Sequence, residues 1–459
     1  MTGPDVRGKT ILVLGLGRSG CAAGALLRRH GAVCIGVDDA EGETVARRWE
    51  RESLTELADR AFDEVLAGRD WPSRLKPTPD AVVLSPGVPP THPALVSYRA
   101  AGVPIHGELE WATRFYRGRS VAVTGTNGKS TTTAWIAHVL RTAGLESPAL
   151  GNLGTPLAAE VEALGPATVA VIECSSFQLE TVETWRPDVA VVLNLAPDHL
   201  DRYADLDAYY QAKARLARQV ADEGCYLVWT GCPQAQRWPH GGRLSLFGGP
   251  APDAVAWLAD GWLRVRRDQA VHDLVRVDAL SLQSPPNLVN ATAVAAAALP
   301  FVDDLDLLAA GVRSFTGLAH RHQLVGRLDG VSFVNDTKAT NVHAVQEGLR
   351  GYPRPVVLIA GGSGKGEDYT PLREVMGSVR HVVTIGAEGP AIRAALAGCV
   401  PTSAAPDLPA AVALAAELAR PDATVLLSPA CASFDMFSGY RERGEVFTAA
   451  ARALGAEEV

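Results

Sequence analysis

No run of apolar residues in this chain is long enough to cross a bilayer: the Ala-rich stretch 291–299 is too short and too weakly hydrophobic. The first residues reach Lys9 and then a short strand, without the charged, apolar and small-residue zones of a signal peptide. An excess of positive charge is also missing. The net charge of −8 excludes a broadly basic surface and argues against nucleic acid as the main partner. The seven cysteines (21, 34, 174, 225, 232, 399, 431) contain no C-x-x-C pair and no zinc spacing, which points to buried free thiols rather than a disulfide framework. No low-complexity linker and no repeat beyond recurring αβ units is present. A soluble cytoplasmic protein is expected, with neither membrane insertion nor nucleic acid among its partners, and a monomer.

Apolar residues make up 47% and charged residues 20%, an ordinary globular balance, and 459 residues are too many for one core. The pattern is α/β throughout. Ile11–Leu14 is a short apolar strand running into Gly15-Leu16-Gly17-Arg18-Ser19-Gly20, and Val33–Asp39 reads as the next parallel strand, ending in Asp38 and Asp39. Further strands are expected at Ala81–Leu84, before Ser85-Pro86-Gly87, and at Val103–Ile105. The expected organisation is three domains: Rossmann-like over 1–117, a central P-loop-type α/β unit over 118–317, and a Rossmann-like α/β unit over 318–459. Within the second, 226–283 reads as an antiparallel side element.

The most informative segment is Val121-Ala122-Val123-Thr124-Gly125-Thr126-Asn127-Gly128-Lys129-Ser130-Thr131. An apolar strand enters a tight Gly-Thr-Asn-Gly turn, and a lysine and hydroxyls open a helix. Glycines let backbone N–H groups face a phosphate and the helix N-terminus adds positive potential. Lys129 can reach the outer phosphates, and Ser130 or Thr131 can sit on Mg²⁺. Val123 stands where the common G-x-x-x-x-G-K-[ST] pattern has its first glycine. A plain strand-to-helix turn is the bland alternative.

Other candidates lie after apolar strands, where parallel sheets place ligand loops. Glu173 follows Val169–Ile172 and suits a Mg²⁺ ligand, or is only a strand-end acid. His199 stands between Asp198 and Asp201 in Asn194-Leu195-Ala196-Pro197-Asp198-His199-Leu200-Asp201-Arg202, an anionic loop suited to a cation, although a lone histidine usually packs. Lys213 lies on the helical stretch 206–220, where a charged residue is usually solvated. Asn287 and Asn290 share a helix face at i, i+3 spacing, with Asn287 also a fair N-cap. Asn152 in Gly151-Asn152-Leu153-Gly154 can be a plain tight turn.

The string Gly125–Thr131 resembles the phosphate loop of the Mur ligase and folylpolyglutamate synthetase superfamily, and motifs in all three parts extend a resemblance to the Mur ligases over essentially the whole chain. They are Glu173-Cys174-Ser175-Ser176-Phe177-Gln178-Leu179-Glu180, the Asn194–Arg202 string, Gly317-Leu318-Ala319-His320-Arg321, Asn335-Asp336-Thr337-Lys338-Ala339-Thr340-Asn341, Gly361-Gly362-Ser363-Gly364-Lys365-Gly366 and Ser428–Phe437. Two positions depart from the family pattern: Pro286 replaces the usual histidine of H-N-x-x-N, and Ser363 the usual aspartate of G-G-D-G-K-G.

The resemblance implies an ATP-dependent acid–amino-acid ligase of peptidoglycan precursor synthesis. It is strongest to members that add D-glutamate to UDP-N-acetylmuramoyl-L-alanine, with another Mur-type or a folylpolyglutamate-type ligase as the alternative. It implies ATP at Gly125, Thr126, Asn127, Gly128, Lys129, Ser130, Thr131, Asn287, Asn290, Arg321 and Asp336. Two Mg²⁺ ions are implied at Ser130, Glu173, His199 and Lys213, with Lys213 carbamylated, which requires shielding from water and a neutral amine. Lys129, His199 and Lys213 are the implied catalytic residues. Arg18, Ser19, Asp38, Asp39, Gly87 and Asn152 are implied on the UDP-sugar side, and Thr340, Lys365, Ser433 and Tyr440 around D-glutamate. Two rivals come from other classes. An NAD-dependent oxidoreductase follows from Gly15–Gly20 but gives Lys129, His199 and Lys213 no role; a non-catalytic ATP-binding regulator is the other.

Overall fold

The computed structural model describes residues 3–457 apart from 77, 201, 351, 353, 354 and 365. Three sheets follow one another along the chain. The first is wholly parallel, from β1 (Thr10–Leu14), β2 (Val33–Asp38), β3 (Glu64–Ala67), β4 (Ala81–Leu84) and β5 (Ile105–Gly107), in the order β3-β2-β1-β4-β5. The order reverses beside β1, so the Gly15–Gly20 loop opens at the switch point where such sheets take ligands.

The second sheet holds β6 (Arg119–Thr124), β7 (Ala149–Gly151), β8 (Val169–Glu173), β9 (Val189–Val192), β10 (Cys225–Trp229), β11 (Arg243–Gly248), β12 (Ala254–Ala259), β13 (Trp262–Arg267) and β14 (Ala270–Arg276). Their order is β14-β13-β12-β11-β10-β9-β6-β8-β7. The central strands β6, β8 and β9 are almost entirely buried, which is why they read as unbroken apolar runs rather than alternating ones. The stretch 226–283 is not the separate antiparallel element the sequence suggests. Strands β10 and β11 are parallel additions to the central sheet, and among the registered pairs here only β12–β13 is antiparallel. Tyr226, Leu227 and Val228 are fully buried, and β10 pairs with β9 along one edge and with β11 along the other.

The third sheet comprises β15 (Gln323–Leu328), β16 (Val331–Asn335), β17 (Val356–Gly361), β18 (Val379–Ile385), β19 (Thr402–Ala404) and β20 (Thr424–Leu427), in the order β15-β16-β20-β17-β18-β19. All pairs are parallel except β15–β16. The strand expected at Val103–Ile105 lies two residues later, and the helix expected over 206–220 closes at Arg218. All seven cysteines are free; six are buried and Cys399 is exposed. No helix among the described residues is long and apolar enough to cross a membrane.

By compactness the chain forms two units. The first takes Met1–Leu195, Arg202–Val275 and Thr292–Val312, and so holds the first two sheets; the second takes Ala196–Asp201, Arg276–Ala291 and Arg313–Val459.

Candidate functional site

In the first unit, β6 ends at Thr124 and the chain turns through Gly125 (φ 149°) and Gly128 (φ 82°) into the helix Lys129–Thr142. A Cβ on Gly125 would stand 3.0 Å from Leu193 Cβ and 3.2 Å from the Asn194 nitrogen, so both backbone and space demand glycine there. Asn194 clamps the turn. Its Oδ1 accepts from the Asn127 amide at 2.8 Å, its Nδ2 donates to the Asn127 carbonyl at 3.0 Å, and its own carbonyl accepts from the Thr126 amide at 2.9 Å. Thr126 Oγ1 lies 3.2 Å from the Tyr209 hydroxyl. Lys129 Nζ donates to the carbonyls of Gly125 (3.0 Å) and Thr126 (2.7 Å), folded over its own loop. Ser130 and Thr131 are buried in the first helical turn.

Glu173 ends β8, in register with Val123 of β6, so its carboxylate and the phosphate loop leave adjacent strands at the same end. It is 2% exposed. Oε1 accepts from Asn152 Nδ2 at 2.8 Å, whereas Oε2 is buried without a hydrogen-bond partner among the described residues. A buried carboxylate oxygen left unpaired is costly unless a cation or water meets it, which fits a divalent-ion ligand. Asn152, expected on the substrate side, thereby orients Glu173. Among the described residues no three His, Cys, Asp or Glu side chains converge as a metal-binding group. Mg²⁺ suits such a place, because it draws ligands from phosphates and water rather than from a full protein cage.

Lys213, on the helix Leu206–Arg218, is not solvated. It is 1% exposed, its Nζ donates to the Gly125 carbonyl at 2.9 Å, and it lies 4.6 Å from the Tyr209 ring centroid. The shielding from water that a carbamate needs is thus present.

In the first sheet, a Cβ on Gly15 (φ 94°) would come within 2.8 Å of Ser85 and Val88, and one on Gly20 within 2.0 Å of the Gly15 carbonyl. A Cβ on Gly17 would meet no described atom within 4 Å, so that side of its backbone is open to approach. Asp38 is committed to the loop: its Oδ2 accepts from the Leu16 amide (3.0 Å) and Arg48 (2.9 Å), and its Oδ1 from Ala40 (3.0 Å). Asp39 takes Trp71 Nε1 at 2.9 Å and meets His92 Nε2 at 3.0 Å. Burial raises its pKa, but these contacts outweigh burial and the net shift is downward. Arg18 begins the following helix and donates to the Glu52 carbonyl; Ser19 follows in its first turn, and Gly87 is exposed after β4.

The second unit holds Asp198 and His199. His199 has φ 55°, and its Nε2 lies 3.7 Å from Asp198 Oδ2. Asn341 Nδ2 donates to the same Oδ2 at 3.4 Å. Asn287 is not an N-cap: the helix Pro285–Ala298 begins two residues earlier, its first turn closed by the Leu288 amide on the Ser284 carbonyl. Prolines 285 and 286 fit there because first-turn N–H groups have no helical acceptor. Asn290 Nδ2 donates to Asn287 Oδ1 at 3.3 Å. Asp336 is held between the Ser428 hydroxyl (2.9 Å) and the His322 amide (3.2 Å), and Arg321 N bonds the Leu318 carbonyl (3.3 Å). Thr340 is half-buried and Ser433 buried. Tyr440 opens the helix Tyr440–Ala453 with Lys338 Nζ 4.1 Å from its ring centroid. Lys365 lies outside the described residues.

Three contributors escaped the sequence reading. Asn194 was visible as the first letter of the string read for its histidine. Arg202 was the last letter of the same string. Arg443, wholly buried beneath the loops of the third sheet, had no local signal.

Residues 123–298 match the family model described as Mur ligase middle domain, and residues 320–431 the one described as Mur ligase, glutamate ligase domain. The UDP-N-acetylmuramoylalanine–D-glutamate ligase of Acidobacterium capsulatum is 36% identical over 449 residues, covering 96% of each chain. The protein of the same name from Anaeromyxobacter dehalogenans is 40% identical over 464 residues, 97% of this chain and 98% of its own. Among solved structures, the UDP-N-acetylmuramate-alanine ligase of Thermotoga maritima aligns with a TM-score of 0.59 at 17% identity, over 97% of this chain and 100% of that one. The MurF ligase of the same organism, solved with ADP, gives 0.60 at 14% identity, over 92% and 96%. These two share the fold.

Proposed function

The chain belongs to the Mur ligase family, and from that premise we propose that it is the ATP-dependent ligase joining D-glutamate to UDP-N-acetylmuramoyl-L-alanine in peptidoglycan precursor synthesis. The observation that carries the reading is the phosphate loop beside Glu173, whose buried Oε2 has no hydrogen-bond partner among the described residues. The name borne by relatives along nearly the whole length supplies the substrates.

In this reading the backbone N–H groups of Gly125–Gly128 and the Lys129 ammonium bind the ATP phosphates, with Asn194 holding the turn in shape. In the second unit, Asn287, Asn290, Arg321 and Asp336 are the residues we assign to the nucleotide. Ser130 and Glu173 would hold one Mg²⁺ when it is bound, and His199 and a carbamylated Lys213 are the residues we assign to a second. The ions, when bound, neutralise phosphate charge as the carboxylate approaches. The substrate carboxylate attacks the γ-phosphorus and ADP leaves; the D-glutamate amine then attacks the acyl phosphate carbonyl, loses a proton, and phosphate departs. The UDP-sugar lies on the Gly15–Gly20 loop with Arg18, Ser19, Asp39, Gly87 and Asn152, while Asp38 acts by fixing the loop. Thr340, Ser433, Tyr440 and Lys365 surround D-glutamate. Domain limits of 1–117, 118–317 and 318–459 accompany the reading, as do a cytoplasmic location and a monomer.

A phosphate-release screen of UDP-N-acetylmuramoyl-L-alanine with each D- and L-amino acid tests it. Release is expected with D-glutamate, and equal release with L-glutamate would displace the assignment. The burial of Lys213 supports the carbamate. Lys213→Ala should be nearly inactive and partly restored by short-chain carboxylates. No restoration, together with a native mass lacking the added CO₂, would rule the carbamate out.

A further inference from the structure

Arg202 has a side chain only 12% exposed, and its contacts join parts of the first unit that are far apart in sequence. Nη1 donates to the carbonyls of Pro86 and Gly87 at 3.2 Å each, and Nη2 to that of Val88 at 3.4 Å. Nη2 also meets Glu180 Oε2 at 2.7 Å, and the guanidinium carbon stands 4.2 Å from the Phe177 ring centroid. Pro86–Val88 is the turn after β4 of the first sheet; Phe177 and Glu180 follow β8 of the second. One planar cation therefore fastens the loop of one sheet to the loop segment of the other. Glu180, itself 13% exposed, balances the charge, which frees the remaining donors for neutral carbonyls. A lysine has neither the fork to span three carbonyls nor the plane to lie on Phe177.

The contacts continue inward. The Phe177 ring is 6.0 Å from that of Tyr203, Tyr203 is 5.4 Å from Tyr209, and the Tyr209 hydroxyl is 3.2 Å from Thr126 Oγ1 in the phosphate loop. Packed rings thus lead from the Pro86–Val88 turn to the place where ATP phosphates bind.

We propose that Arg202 is a positioning residue for the UDP-sugar: it sets the Pro86–Val88 turn against Phe177 and Glu180, and so fixes the substrate's docking loop in register with the phosphate loop. The proposal rests on the reading that this turn meets the UDP substrate. In Arg202→Lys, the KM for UDP-N-acetylmuramoyl-L-alanine should rise about tenfold as the charge-assisted carbonyl bonds are lost, while that for ATP stays within about twofold. Glu180→Gln, which keeps the carbonyl grips, should raise the UDP-substrate KM by less. Calorimetric titration of each enzyme with the UDP-substrate and with a non-hydrolysable ATP analogue separates the outcomes. A wild type that does not bind the UDP-substrate defeats the functional reading. A wild type that binds it and an Arg202→Lys that binds equally well overturns the role of Arg202. Equal loss of both ligands in Arg202→Lys and Glu180→Gln marks general damage to the fold and overturns it too.

Discussion

Glu108 and Glu110 open the same helix, Glu108–Phe115, both are buried, and they meet opposite fates. Among the described residues Glu108 accepts one bond, from the Ala158 amide at 3.3 Å, and its Oε2 has no hydrogen-bond partner. Burial pushes its carboxyl up to about 7 from an ordinary 4.5, opposed only by that amide. Burial acts on Glu110 as well, but the Thr184 hydroxyl, the amides of Glu183 and Thr184, and Arg114 outweigh it and hold its pKa low. The sign for Glu108 follows from proton counting. Between pH 4.5 and about 7 the folded chain keeps a proton that the unfolded chain releases, so stability falls as pH rises through that window and levels off above it. The full effect is on the order of 3 kcal/mol. Glu108→Gln should therefore gain on the parent by up to that amount between pH 4.5 and pH 8, read from urea unfolding at both. A gap that does not change with pH would show that Glu108 does not titrate as its burial implies.

At the scale of elements, each sheet offers loops at the carboxyl ends of its strands, and a few side chains set their shape. In the third sheet that work falls to Arg443, from the helix Tyr440–Ala453. Its guanidinium makes five hydrogen bonds, to Thr337 Oγ1 and O and to the carbonyls of Gly361, Cys431 and Ala432. The loops after β16, β17 and β20 are thereby stitched from beneath, and they are the loops proposed to receive the amino acid. Burial lowers the Arg443 pKa to about 10, which still leaves it charged at neutral pH. Arg443→Met would strand these acceptors, and unfolding should show a loss of roughly 2–4 kcal/mol. Near-parental stability in urea would mean that the loops hold their form without it.

At the scale of the molecule, three sheets make two compact units. One continuous apolar core runs from Val13, Ala22 and Leu26 around the first sheet to Leu157, Ala158 and Ile172 around the second. The third sheet has its own cores on its two faces, one around Leu358 and Leu426, the other around Phe333 and Phe447. Separate cores favour separate cooperative transitions. Calorimetry is expected to show a van't Hoff enthalpy below the calorimetric one, with UDP-substrate raising only the transition of the unit that contains the first two sheets. A single transition with equal enthalpies would show that the two units unfold as one.

What the sequence determined is local. Apolar runs bounded by Gly-rich turns specify buried parallel strands, and the chemistry-bearing residues stand just past their ends, so Lys129, Glu173 and the third-sheet loops could be read without coordinates. Chain order also separates three sheets. The tertiary structure decided which groups those residues meet. Asn127 is clamped by Asn194, 67 positions away, and Asp38 accepts from the Leu16 amide and from Arg48. Strands β10 and β11 joined the central sheet, where Tyr226, Leu227 and Val228 are fully buried. Arg443 reaches Thr337 across 106 positions. Backbone hydrogen bonding and side-chain periodicity act over a few residues and leave a pattern in them. Burial and long-range pairing are settled only when distant segments compete for the same interior, and no short stretch of sequence records that outcome.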